Sequence, residues 1–297
     1  MMSYFRTYRV GGHLFALEAL PELLSESELV PYTPFRAPRC FGEELLFSVT
    51  CMSEVGFLPA VGTMTAKLED DNGCMTLFSL PDGGMSVSLV TTSGKECCRL
   101  SMSRDYSKAM MWIGGSLGER CYSLDTALMM LYAFAAAPHD TILVHASAVE
   151  YEGRGYLFLG KSGTGKSTHS RMWIENVEGT KLLNDDNPVV RITDDRVYVY
   201  GSPWSGKTPC YLNRSVQTGG VIRLHQASYN RITQLTGVKA YAALLPSCSF
   251  MKWNRDMSES VHRTVSRVTA LVPVYNIECM PDRDAAILCM KTAVSNR

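Results

Sequence analysis

Neither sign of charge dominates this chain: 29 Lys and Arg are balanced by 29 Asp and Glu, and there is no long basic run. Nucleic acid and acidic membrane surfaces are therefore poor default partners. No apolar run reaches the length needed to span a bilayer. The opening residues, MMSYFRTYRVGGHLFALEAL, lack the apolar core of a signal peptide. The ten cysteines (Cys40, Cys51, Cys74, Cys97, Cys98, Cys121, Cys210, Cys248, Cys279 and Cys289) are scattered and include no C-x-x-C pair. That argues against a zinc site built on paired knuckles. Together these absences predict a cytoplasmic protein whose thiols stay reduced and serve as small buried hydrophobes. Repeats and low-complexity linkers are also missing.

What is present suits a soluble globular protein: 297 residues, 46% hydrophobic and 20% charged, enough for two domains or one large one. The first 120 or so residues read as β-rich. From Cys74, CMTLFSLPDGGMSVSLVTTSGKECCRLSMS alternates short segments with the turn sequences PDGG and TSGK, the pattern of an antiparallel meander. YFRTYRVGGHLFAL and ELLFSVTCM read as further strands. The character changes near Ser123, where SLDTALMMLYAFAAA predicts a buried helix. TILVHASAVEY then reads as one strand, YLFLG as a second and KSTHSRMWIEN as a helix. KLLND is a strand, and NPVVRITDDRVYVYG is a hairpin turning at Thr193 to Asp195. GGVIRLHQ and VYNIECM are further strands, with helices around Val238–Leu245, around Met257–Leu271 and from Asp282. The expected division is residues 1–120, β-rich and of unassigned role, and residues 121–297, carrying the chemistry.

The chemistry centres on GKSGTGKS, Gly160 to Ser167, which fits the phosphate-loop pattern G-x-x-x-x-G-K-[ST]. Gly160, Gly163 and Gly165 permit turns that side chains would forbid, so successive amides can face phosphate oxygens. The helix that follows adds the positive end of its dipole. Lys166 can reach β- and γ-phosphates, and the Ser167 hydroxyl can ligate Mg²⁺. A strand before the motif and a helix after it supply the context the motif requires.

A nucleoside triphosphate needs a metal, and the metal needs carboxylates. In LLNDDNP, Asp185 and Asp186 lie nineteen and twenty residues after Lys166, room for a helix and a short strand to return the pair beside the loop. One carboxylate can hold Mg²⁺ while the other takes a proton from an attacking hydroxyl; the sequence leaves open which does which. Adjacent strand residues point to opposite faces, so both roles require the strand to end or twist at the pair. Asp194 and Asp195, by contrast, read as an ordinary turn. GSPWSGKTPC holds Gly201, Gly206 and Lys207 around Trp204: either a second loop closing on an anion through Lys207, or a plain hairpin exit with a solvated lysine.

VHASAV, GKSGTGKST and LLNDDNPVV, in this order and spacing, resemble the catalytic domain of bacterial HPr kinase/phosphorylase, of the phosphoenolpyruvate carboxykinase-like fold. The resemblance covers roughly residues 121–297. It implies a mixed α/β phosphate-loop domain behind the β-rich segment. It also implies ATP and Mg²⁺ (or Mn²⁺) as cofactors and a homo-oligomer. Gly160, Lys161, Ser162, Gly163, Thr164, Gly165, Lys166, Ser167 and Thr168 would bind the triphosphate. Ser167 and one of Asp185 and Asp186 would hold the metal, and His145 would sit near the transferred phosphate. The chain departs from the family at Ala146, where the family has glycine, and in lacking the loop with which those kinases grip their protein substrate. The phosphoacceptor, whether protein, peptide or small molecule, is therefore open. Two other readings stand beside a kinase. One is a nucleotide-binding regulatory module without chemistry. The other is a carboxykinase using Arg191, Arg214 and Arg223 to bind a small organic acid.

Overall fold

The computed structural model describes residues 4–40, 42–59, 62–70, 73–206 and 208–295. It is a mixed α/β protein whose chain divides into two compact units, Met1–Ala135 and Ala136–Arg297.

The first unit is an eight-stranded sheet followed by one long helix. Its strands are β1 (Tyr4–Val10), β2 (His13–Ala19), β3 (Phe47–Cys51), β4 (Thr63–Asp70), β5 (Gly73–Ser79), β6 (Met85–Thr91), β7 (Glu96–Met102) and β8 (Lys108–Ile113). They lie in the order β1-β2-β3-β8-β7-β6-β5-β4. The expected meander is β5 to β7, closed by backbone bonds from Leu80 to Gly84 and from Thr91 to Lys95, both 2.9 Å. β3 is parallel to both its neighbours, β2 and β8.

Helix α1 (Leu117–Ala136) starts six residues before the expected Ser123. Leu124, Leu128, Leu131 and Tyr132 are fully buried. The Tyr132 hydroxyl donates to Val10 O at 2.9 Å, and Asp125 accepts from the Tyr32 hydroxyl at 2.8 Å. Arg120 pairs with the buried Glu28. These contacts hold the helix to the first unit, so the division falls at Ala135 rather than near residue 120.

The second unit comprises β9 (Thr141–Leu143), β10 (Ala146–Tyr151), β11 (Arg154–Leu159), α2 (Lys166–Asn176), β12 (Lys181–Asp186), β13 (Val189–Thr193), β14 (Arg196–Tyr200), β15 (Ser215–Gln226), β16 (Arg231–Leu235), α3 (Gly237–Leu244), α4 (Arg255–Leu271), β17 (Val274–Cys279) and α5 (Arg283–Ser295). The nine strands form one mixed sheet running β12-β10-β11-β15-β14-β13-β9, with β17 added beside β15 and β16 beside β17. The long β15 makes this possible. Its start pairs with β14, its middle runs parallel to β11, and its end runs parallel to β17.

Two features of this sheet position the site. The predicted single strand TILVHASAVEY is two strands. At Val144–His145 the chain changes partners: β9 pairs with β13, whereas β10 pairs with β11 and β12. The junction is fixed from outside, since the His145 amide donates to Ser247 O at 2.7 Å and the Val144 amide to Pro188 O at 3.1 Å. Second, α2 is clamped to the sheet by Trp173, which is fully buried and lies 5.2 Å from Tyr156 and 5.5 Å from Phe158, centroid to centroid. Ile222, Tyr275, Ala286 and Cys289 complete that core. Removing such an aromatic typically costs about 3–5 kcal/mol, so the helix behind the phosphate loop is firmly seated. Cys51, Cys97, Cys98, Cys210 and Cys289 are buried and all ten cysteines are free. Burial pushes the Cys51 and Cys248 thiols up to about 12, well away from reactivity. Among the described residues, no helix is long and apolar enough to cross a membrane.

Candidate functional site

The strand–loop–helix unit forms as its residues predict. β11 ends at Leu159, the loop follows, and α2 begins at Lys166. Gly165, at the helix N-cap, has φ 102°, a left-handed conformation that a side chain would resist. Thr164 N closes the turn on Lys161 O at 3.1 Å. The Gln226 amide, at the end of β15, reaches Gly163 O at 3.3 Å and Thr164 O at 3.4 Å. Lys161, Ser162, Gly163 and Ser167 are exposed; Thr164, Gly165 and Thr168 are half-buried. The loop is thus braced from the sheet side with its outer rim open.

Beside the loop, three predicted residues meet. Lys166 Nζ lies 2.9 Å from His145 Nε2 and 3.0 Å from Gly160 O. His145 Nδ1 lies 3.0 Å from Asp186 Oδ1. Hydrogen-bond complementarity assigns the tautomer: Nδ1–H donates to the carboxylate, leaving the Nε2 lone pair to accept from the ammonium. Burial lowers the Lys166 pKa, while the charges of Asp186 and Asp185 oppose that shift. Both carboxylates are therefore within electrostatic reach of the loop lysine. The sheet explains this convergence: Ala146 pairs with Asp186 and Ser147 with Asp185 across β10 and β12, placing the acidic pair next to His145.

β12 ends at Asp186, whose φ of 154° belongs to a region L-residues rarely adopt. Asp186 also bridges to Ser205 and accepts from Asn187 Nδ2 at 2.8 Å. Asp185 is buried, 4% exposed. A polar network beneath them holds the bend. Buried Asn184 donates to Ser202 Oγ at 3.1 Å and accepts from the Asn187 amide at 3.0 Å. Ser202 Oγ in turn donates to Asn187 O at 2.7 Å. Sequence reasoning missed Asn184 and Ser202. Their only trace is an asparagine on either side of the acidic pair, a pattern of no known specificity.

The segment from Gly201 packs on the acidic pair. Trp204 is 3% exposed and so anchors the segment instead of offering a ring to a ligand. The Gly206 amide donates to Asp185 O at 2.5 Å. A Cβ at Gly206 would lie 2.9 Å from that oxygen and 3.2 Å from Asp186 Cβ, so this approach requires glycine. Lys207 lies outside the described residues.

Two clefts flank the loop. One, of about 670 Å³, is lined by His145, the loop from Leu159 to Thr164, Arg223 to Gln226, and Ala242, Ala243, Pro246 and Ser247. The other, of about 500 Å³, is lined by Gly163 to Gly165, Thr168, His169, Leu224 to Ala227 and Cys279 to Pro281. Of the arginines suggested for an organic acid, Arg223 alone lines either cleft among the described residues, while Arg214 pairs with Glu150 at 2.5 Å. The arginine cluster is therefore not assembled.

Among the described residues, no group of three or more His, Cys, Asp or Glu is placed to hold a metal by itself. The donors at hand, the Ser167 hydroxyl and two carboxylates, are hard oxygens. They suit Mg²⁺ or Mn²⁺ only if ligand phosphates and water complete the shell.

No protein-family model matches the chain, and no curated protein matches it. Among solved structures it is similar to the Hpr(Ser) kinase/phosphatase from Coxiella burnetii, at 14% identity and a TM-score of 0.31; the match covers 52% of this chain and 88% of that one. A likeness of that degree says nothing of activity or ligands.

Proposed function

We propose that the second unit is an ATP-dependent phosphotransferase of the HPr kinase-like kind, with a phosphate-loop, phosphoenolpyruvate carboxykinase-like arrangement. The observation that carries the reading is the chain Lys166–His145–Asp186, which ties the phosphate-loop lysine to a histidine–carboxylate pair through contacts of 2.9 and 3.0 Å. A regulatory module that only binds nucleotide has no need of such a pair.

The loop from Gly160 to Thr168 holds the triphosphate. When phosphates enter, Lys166 exchanges Gly160 O and His145 for the β- and γ-oxygens, because a charged oxygen outcompetes a neutral acceptor. His145 Nε2 is then free. It takes the proton of the acceptor hydroxyl as that oxygen bonds to the γ-phosphorus and the bond to the β-phosphate oxygen breaks, releasing ADP. Asp186 holds the imidazole in the required tautomer and stabilises its protonated form. Ser167 and Asp185 would hold the divalent cation, which supplies charge neutralisation for the phosphates. Assigning the proton-accepting role to the His145–Asp186 pair leaves Asp185 as the metal-side carboxylate.

The test is incubation with γ-labelled ATP, Mg²⁺ and cell extract. The parent labels an acceptor. Asp186→Asn, which keeps the shape but weakens the hold on the imidazole, lowers labelling by about 10²–10⁴-fold while still binding nucleotide. Undiminished labelling in that variant would remove the proposed chemistry.

A further inference from the structure

The larger cleft has an unbalanced lining. Its charged lining residues are Lys161 and Arg223, with His145 and His225 beside them, and no carboxylate lines it, Asp186 being paired with His145 at 3.0 Å. In a chain with no net charge this is a local excess, and a concave wall focuses it. Arg223 is the member that is both held and available. Its Nε donates to Asn276 Oδ1 at 2.9 Å, which fixes the plane of the guanidinium, and among the described residues it forms no ion pair. Three other arginines of this unit are engaged with carboxylates: Arg214 with Glu150, Arg231 with Glu278 and Arg267 with Asp140. An oriented, half-buried guanidinium without a carboxylate partner is suited to bidentate recognition of a planar or tetrahedral oxyanion.

The two clefts also differ in how they meet the loop. His145 and Lys161 line only the larger one, whereas Thr168, Cys279, Met280 and Pro281 line only the smaller. The reacting end of the site, marked by His145, therefore opens into the cationic cleft. The smaller cleft, at the helix end of the loop, has no lysine or arginine in its lining and better suits an uncharged group.

Building on the phosphotransferase reading, we infer that the larger cleft receives the phosphoacceptor, and that the acceptor is a small hydroxyl compound bearing its own carboxylate or phosphate, gripped by Arg223. Ala242 and Ala243, which also line the cleft, contribute only small side chains and leave room for it.

The experiment titrates D-glycerate, glycerol 3-phosphate and uncharged glycerol into the full-length protein saturated with a non-hydrolysable ATP analogue and Mg²⁺. At least one of the two anions binds and glycerol does not; which anion binds tells carboxylate from phosphate recognition. Arg223→Met weakens that binding at least tenfold, Arg223→Lys weakens it less, and both keep their affinity for the ATP analogue within twofold. If neither anion binds the nucleotide-loaded protein, or if Arg223→Met binds them as the parent does, the inference is wrong. Equal loss of anion and analogue affinity would instead make Arg223 a triphosphate ligand and also overturn it. Failure of the parent to bind the analogue at all is a different result, and it strikes the phosphotransferase reading.

Discussion

Replacing Gly206 by alanine adds one carbon at the most crowded point of the site. That carbon would stand 2.9 Å from Asp185 O, 3.2 Å from Asp186 Cβ and 3.5 Å from Asp186 Cγ. The first contact is with backbone and cannot be relieved by a rotamer change. The same oxygen already accepts from the Gly206 amide at 2.5 Å, so retreat of the loop breaks that bond. Gly206 is not among the glycines of positive φ, so alanine meets no conformational penalty and the whole effect is steric. Overpacking of this kind costs about 1–3 kcal/mol, and each kcal/mol lowers the melting temperature of a unit this size by about 2–4 °C. The functional loss should be larger, because displacing a catalytic carboxylate by about 1 Å can cost 10²-fold in rate. Thermal unfolding and labelled-ATP transfer, measured on the same preparation, read both effects. The expected result is a melting temperature a few degrees lower, transfer reduced at least tenfold and nucleotide affinity within about threefold of the parent. A variant with the parent's stability and transfer rate would show that this segment does not brace the acidic pair.

Two further expectations are independent of the transfer chemistry. His169, 4% exposed on α2 and packed 4.8 Å from Phe158, has its pKa lowered by burial from 6.5 to about 4. The unfolded chain binds this proton first, so the neutral ring's contribution is complete above pH 6.5 and is lost as pH falls toward 4. The full difference is about 3 kcal/mol. An NMR titration of the ring should find it neutral at pH 5, and a midpoint near 6.5 would contradict its burial. Because α1 belongs with the first unit, residues 136–297 made alone should fold and bind the ATP analogue as the whole chain does. A fragment that is unfolded by circular dichroism would mean that the units do not fold separately.

The second unit was legible because its elements carry strong local signals. α2 spans the predicted KSTHSRMWIEN, and the hairpin β13–β14 turns on Asp194 and Asp195, both at positive φ as its turn chemistry requires. What the sequence obscured depends on partners remote in the chain. The break at His145 is imposed by Ser247 and Pro188, and no residue within TILVHASAVEY announces it. The boundary at Ala135 reflects where α1 buries its apolar face, which composition does not reveal. β8 and β16 passed unread because they are short and their apolar residues alternate weakly; β4 alternates Met64, Ala66 and Leu68 with polar residues but leaves Met64 and Leu68 exposed. In the site, the phosphate loop and acidic pair have recognisable spacing, whereas Asn184, Ser202, Gln226 and Gly206 act through hydrogen bonds and close approach and share no motif. Arg223 was visible only as one arginine among several; its fixed plane and carboxylate-free cleft exist only in the folded sheet.

Calorimetric titration of a non-hydrolysable ATP analogue with Mg²⁺ reads whether Gly160 to Thr168 binds the phosphates of ATP through Lys166. The parent should bind. Lys166→Ala should lose at least tenfold in affinity while keeping its circular dichroism spectrum, since the lysine's partners are a half-exposed histidine and two loop carbonyls rather than core residues. Equal affinity in the two proteins, or no binding by the parent, would mean that the loop does not hold the phosphates of ATP through Lys166.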